Sequence, residues 1–127
     1  MIRRARPEDA VQRGCCQILD GLWRAGRLRY FHVPNGGKRT KAEAGIFSTI
    51  GVKPGVPDLV IVLTGGRALW VEVKASRGTL SDAQEDWRDA LQDLGHEWHM
   101  IRDAAELWDV LPADVTRGLM TARKDAA

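Results

Sequence analysis

Long hydrophobic runs are absent from this chain. No apolar stretch in its 127 residues approaches the roughly 20 needed to span a bilayer, and the N-terminal "MIRRARPEDA" has no apolar signal-peptide core. Cysteine is scarce. Cys15 and Cys16 are sequence neighbours whose bridging would close a strained ring, so free thiols in a reducing compartment are expected. Internal repeats and low-complexity tracts are missing as well, which argues against a solenoid. Acids are missing from one long segment. Between Gly21 and Ala42 there are six bases (Arg24, Arg27, Arg29, Lys38, Arg39, Lys41) and no Asp or Glu, whereas Asp82 to Glu106 holds eight acids against Arg88 and Arg102. Such polarity suits a protein that turns one face to a polyanion, and equally suits charge solvated on unrelated surfaces. What remains is an intracellular, cytoplasmic chain of one domain over residues 1–127, 44% hydrophobic and 28% charged, long enough to bury a core.

Periodicity orders the chain. "RPEDAVQRGCCQILDGLWRAG" is expected to be a helix: Pro7 suits a first turn, Val11, Cys15, Ile18 and Leu22 recur at helical spacing, and Gly26 is a stop signal. "LRYFHV" is a short strand closed by the turn signal "PNGG", and "KRTKAEAGIFSTIGVKPGVP" reads as a short helical turn followed by loop. "DLVIVL" and "ALWVEVK" flank "TGGR" as a hairpin. Ser81 and Gln84 form a capping box for a helix whose buried stripe is Ala83, Trp87, Ala90, Leu91 and Leu94. "EWHMIR" is a further strand and "DAAELWDVL" a short closing helix, with residues 112–127 expected as a flexible or partner-bound tail. The order indicates a mixed α/β sandwich.

The chemistry concentrates where the hairpin begins and ends. Alternation puts Trp70, Glu72 and Lys74 on one face of their strand. A turn at "TGGR" brings Asp58 opposite Glu72, within about a residue of register. Two carboxylates that close repel, so a proton or a cation must sit between them, and oxygen ligands suit a hard ion such as Mg²⁺ or Mn²⁺. A metal held there can polarise a phosphodiester, with Lys74 orienting the attacking water. Glu8 extends the first helix's apolar stripe by one step. It is either a third carboxylate reaching the metal or a simple complement to the helix dipole. The charges of this pattern sit in otherwise apolar strands, where a solubilising surface pair would have no reason to be.

With these residues in place, "GVKPGVPDLVIVLTGGRALWVEVKASRGTLSDAQEDWRDALQDLG", together with upstream "PNGG" and the pair Glu8 and Gln12, resembles the VRR-NUC domain, a branch of the PD-(D/E)XK nuclease superfamily. The resemblance runs from about Glu8 to Leu111. It implies an α/β, restriction-endonuclease-like core: a mixed β-sheet with a central hairpin flanked by helices. It also implies Mg²⁺- or Mn²⁺-dependent hydrolysis of DNA, with Asp58, Glu72 and the main-chain carbonyl of Val73 as metal ligands and Lys74 at the attacking water. Glu8 and Gln84 match further active-site positions, and for Gln84 the alternative role is capping Ser81. Small stand-alone members, often phage or bacterial, resemble Holliday-junction resolvases and act as homodimers, which makes branched DNA and a second copy of the chain the expected partners. The aromatics Trp23, Tyr30, Phe31, Trp98 and Trp108 are candidates for such an interface, although aromatics more often fill cores.

Asn35, Lys38, Arg39 and Lys41 are the expected phosphate contacts, joined by Lys53 and Arg77. His32, His96 and His99 lack the spacing of a zinc site. Cys15 lies on the core stripe and is a poor nucleophile candidate. No organic cofactor and no membrane are expected. The rival class is a non-catalytic nucleic-acid-binding module on the same fold, against which the intact Asp58, Glu72 and Lys74 set argues.

Overall fold

A computed structural model describes residues 7–34 and 40–119. Helix α1 spans Pro7–Arg24. It ends in a left-handed turn at Gly26 (φ 74°), where the Arg27 amide returns to the Leu22 carbonyl at 3.0 Å, a termination open to glycine at no steric cost. Strand β1 (Arg29–His32) follows, then α2 (Lys41–Thr49). Thr40 and Glu43 close a capping box on α2, so the stretch expected as one turn plus loop carries a nine-residue helix.

Strands β2 (Leu59–Val62) and β3 (Ala68–Val73) form the expected antiparallel hairpin. Its connection is longer than a tight turn, with a 3₁₀ turn at Thr64–Gly66 and left-handed backbone at Gly65 and Gly66. Helix α3 (Asp82–Asp93) then carries the chain to β4 (Glu97–Ile101), which pairs parallel to β3. A parallel neighbour requires such a crossover. The sheet order is β1-β2-β3-β4. A 3₁₀ turn (Ala104–Glu106) and the short helices α4 (Leu107–Val110) and α5 (Ala113–Thr116) close the described chain. Among the described residues no helix is long and apolar enough to cross a membrane.

Register separates the two faces of the sheet. Leu59 pairs with Val71, Ile61 with Leu69 and Val73 with Ile101, and these side chains pack with Cys15, Leu19 and Leu22 of α1 into one core cluster. Ile18, expected on that stripe, is only partly buried. Leu19 takes its place because the contacting face of α1 lies one position round. The other face presents Val60, Trp70, Glu72, Trp98 and Met100, and α3 lies over it, with Arg88 stacked 5.9 Å above the Trp98 ring.

Two expectations on packing are corrected. Leu94 is 76% exposed and Ala90 is exposed, so the buried edge of α3 reduces to the i, i+4 series Ala83, Trp87 and Leu91. A helix lying on one open sheet face buries a narrow stripe, and the positions flanking it remain in water. The stretch from Pro112 onward begins as packed structure: Val115 and Thr116 are buried, and Arg27 donates to the Val115 and Arg117 carbonyls at 2.9 and 2.7 Å. Among the described bases of the acid-free segment, Arg27 is thus used within the fold, as is Arg29, 5.3 Å over the Trp23 ring. Residues 120–127 lie outside the described residues.

Candidate active site

Asp58 directly precedes β2, and the β2–β3 register, Leu59 against Val71, sets it opposite Glu72. The Asp58 carboxylate is anchored at one oxygen. Val73 N–H donates to Oδ2 at 2.8 Å, which leaves Oδ1 free of that bond. The Asp58 carbonyl is held too, accepting from Val33 N–H at 2.7 Å and contacting His32 Nδ1 at 2.8 Å.

Glu72 is 2% exposed. Gln84 Nε2 donates to its Oε1 at 3.0 Å, while Oε2 is buried with no hydrogen-bond partner. An orphaned carboxylate oxygen facing a second carboxylate is costly. Burial first, then the charge and contact of Asp58, push the Glu72 carboxyl up to about 9, with Glu8 adding to the rise and Lys74 opposing it. Below that pH the pair keeps a proton, unless a cation takes its place.

Gln84 forms the expected capping box and also reaches Glu72. Its backbone N–H donates to Ser81 Oγ at 3.2 Å and its Oε1 accepts from Ser81 N–H at 2.9 Å, while its Nε2 holds Glu72. The capping box fixes the amide so that its remaining donor points at the sheet end.

Lys74 is 8% exposed, with its N–H on the Ile101 carbonyl at 2.9 Å. A Cβ on Gly78 would lie 3.4 Å from Lys74 Cδ, so the loop after β3 folds against the lysine stem. Arg102 closes that loop by donating from Nη1 to the Ala75 and Gly78 carbonyls, both at 2.7 Å. Nothing in the alternation of β4 singles out Arg102.

The segment Gly51–Pro57 is clamped onto α3. Trp87 Nε1–H donates to the Pro54 carbonyl at 2.9 Å, and a Cβ on Gly55 (φ 83°) would meet the Ala83 carbonyl carbon at 2.5 Å. The loop entering at Asp58 and the helix carrying Gln84 are therefore one packed unit. Gly55→Ala should cost about 2 kcal/mol or more through backbone clash and a left-handed φ. Thermal unfolding measures it, and a melting temperature within about 1 °C of wild type would rule out the clamp.

The remaining expected residues are placed as follows. Glu8, in the first turn of α1, acts on Glu72 through its charge. It does not complete a cage: among the described residues no three His, Cys, Asp or Glu side chains converge to hold an ion. A magnesium ion needs no such cage, since one or two carboxylates with waters and substrate phosphate ordinarily suffice. The orphaned Glu72 oxygen and the Asp58 oxygen not taken by Val73 N–H fit such an ion. Lys41, Lys53 and Arg77 are exposed, whereas Asn35, Lys38 and Arg39 lie outside the described residues. Of the aromatics, Trp23 and Phe31 are exposed (42% and 53%), and Tyr30, Trp98 and Trp108 are partly buried. Cys15 is buried at the core, where desolvation pushes its thiol up to about 12, so it stays protonated.

An antiparallel hairpin bearing Asp, Glu and Lys at one end, extended by a parallel strand through a helical crossover, is the architecture of the PD-(D/E)XK nuclease superfamily. The chain matches the VRR-NUC domain over residues 32–103, more than half its length, and it belongs to that family. Two solved structures have the same fold. One, described as a VRR_NUC domain, is 17% identical with a TM-score of 0.58, over 84% of this chain and 95% of that one. The other, a VRR_NUC domain protein, is 21% identical with a TM-score of 0.63, over 84% and 86%. No curated protein matches the chain. Family membership makes this a nuclease-type domain directed at nucleic acid.

Proposed function

We propose that the chain is a Mg²⁺- or Mn²⁺-dependent endodeoxyribonuclease acting on branched or structured DNA, such as a Holliday junction, as a homodimer in the cytoplasm of a bacterial or phage-infected cell. The observation that carries the reading is the Asp58–Glu72 pair, with its buried oxygen left without a donor beside a buried lysine. When bound, a divalent ion supplies Lewis-acid polarisation of the phosphodiester and lowers the pKa of a water.

The chain's own groups do the rest. The Val73 N–H and the Gln84 amide each occupy one oxygen of a carboxylate, so the other oxygens, with the Val73 carbonyl, would hold the ion. Lys74, held in a nearly dry site, places a compact positive charge where negative charge develops on phosphorus, and it orients the attacking water. Because it cannot retreat into solvent, that charge costs little reorganisation in the transition state. Two copies related by a two-fold axis would present two such sites to a roughly symmetric junction. Exposed Phe31 and Trp23 are the aromatic surface available for that contact.

The test is cleavage of matched duplex, flap, splayed-arm and four-way DNA across Mg²⁺ and Mn²⁺, with oligomer mass measured alongside. Strand scission that requires a divalent ion and favours a branched substrate is the expected outcome. Binding without scission under any of these conditions would leave a nucleic-acid-binding module instead.

The acid-free segment adds a separate expectation. Neutralising Lys38, Arg39 and Lys41 together should weaken DNA binding and reduce the slope of log affinity against log salt by about 2 to 3, one per lost phosphate contact. An unchanged slope would mean that the DNA runs elsewhere.

A further inference from the structure

His32 is one of the residues that hold Asp58. Its Nδ1 lies 2.8 Å from the Asp58 carbonyl oxygen. A carbonyl can only accept, so Nδ1 carries the ring proton and Nε2 is the unprotonated nitrogen. The same oxygen already takes the ladder bond from Val33 N–H at 2.7 Å, so it has two donors on adjacent residues of one strand end. The same Nδ1 also lies 3.3 Å from Gln12 Nε2. Since Nδ1 carries the proton, the amide turned by half sets its Oε1 against that N–H, which the Asp58 carbonyl and Gln12 then share. Gln12 is on α1, one helical turn beyond Glu8.

We infer that His32 is a positioning residue that sets the spacing of the carboxylates: it holds the Asp58 main chain at the end of β2 and, through Gln12, ties it to the turn of α1 that carries Glu8. The reason for a second tie is local. Asp58 follows Pro57, which has no N–H to give to the sheet, and β1 is an edge strand whose last pair is His32 with Leu59. At a strand end, a single ladder bond restrains the carbonyl less than two donors do. An imidazole donor from the facing strand is the second. Groups one bond removed from a metal ligand commonly control affinity in this way, by about 10- to 100-fold.

The inference rests on the metal-site reading above, and the experiment separates the two. His32→Asn keeps a donor at the position of Nδ1, His32→Gln moves the donor outward toward the position of Nε2, and His32→Ala removes it. Binding of Mn²⁺ by titration calorimetry without DNA, the Mg²⁺ concentration for half-maximal cleavage, and thermal unfolding in EDTA are measured for each protein. His32→Ala and His32→Gln should weaken Mn²⁺ binding about tenfold and raise the Mg²⁺ requirement to match, while His32→Asn stays within about threefold of wild type. Comparison of Asn with Gln keeps the test decisive even where Ala unfolds, since both carry an amide of ordinary stability. Unchanged Mn²⁺ affinity in His32→Ala, or Asn no better than Gln, would overturn the positioning role. A wild-type protein that takes up no Mn²⁺ and cuts no DNA would overturn the metal-site reading itself.

Discussion

Lys74→Ala and Asp58→Asn should each lower DNA cleavage by about 10³-fold or more while leaving DNA affinity within a few-fold of wild type. The two substitutions act on different parts of one device. Asp58→Asn is isosteric and keeps an oxygen for the Val73 N–H, so the sheet end stays intact and the loss falls on the charge available to a cation. Lys74→Ala leaves both carboxylates in place and removes the one buried cation beside Glu72 in the described structure. Neither residue has the exposure expected of a phosphate-tracking contact, and for that reason binding should survive. The check is single-turnover cleavage together with binding measured in the presence of Ca²⁺. Cleavage that persists in both variants, in clean preparations, would sink the assignment of the site.

Glu72→Gln should make the metal-free protein more stable, by about 2 kcal/mol or more at pH 8, a rise in melting temperature on the order of 10 °C. The sign follows from the direction of the shift. In the folded chain burial and Asp58 push the Glu72 carboxyl up to about 9 from an ordinary value of 4.5. The folded state therefore holds a proton that the unfolded state has already released. Stability is full below about pH 4.5 and is lost progressively as pH rises toward 9. A glutamine fills the same space with no charge to bury, so the variant should lack this decline, and the gap between the two proteins should widen with pH. Unfolding in EDTA from pH 5 to pH 9 measures it, and a constant gap would exclude Glu72 as the cause. The same substitution should abolish cleavage, because the strain it relieves is the feature that invites a cation.

Much of the fold was legible because its signals are local. The Gly26 stop, the Ser81–Gln84 capping box, the aliphatic run at Leu59–Val62 and the alternation in Ala68–Val73 depend on neighbours a few residues away, and the structure forms each of them. The pairing of Asp58 with Glu72 was legible for the same reason, since a hairpin converts sequence distance into register. Legibility failed wherever packing decided. No periodicity separates Ile18 from Leu19 on α1, and the exposure of Leu94 follows from where α3 lies on the sheet. The nine-residue α2 is hard to see in the sequence because turn-forming neighbours surround the capping box of Thr40 and Glu43.

The amino-acid sequence by itself thus determined the elements, the hairpin and the residue types at its open end, because each rests on interactions within a few residues along the chain. Tertiary structure alone decided how those residues are held. Gly55 and Trp87 lock the entry loop to α3, Gln84 serves its cap and Glu72 at once, Arg102 pins the loop beside Lys74, and His32 grips Asp58 from the neighbouring strand. Most of these contacts join residues tens of positions apart, and Gln84 reaches Glu72 only through the fold of the crossover. The physical reason is that a hydrogen bond between distant segments leaves no period, cap or turn signature in the sequence, and exists only once the sheet and α3 have met.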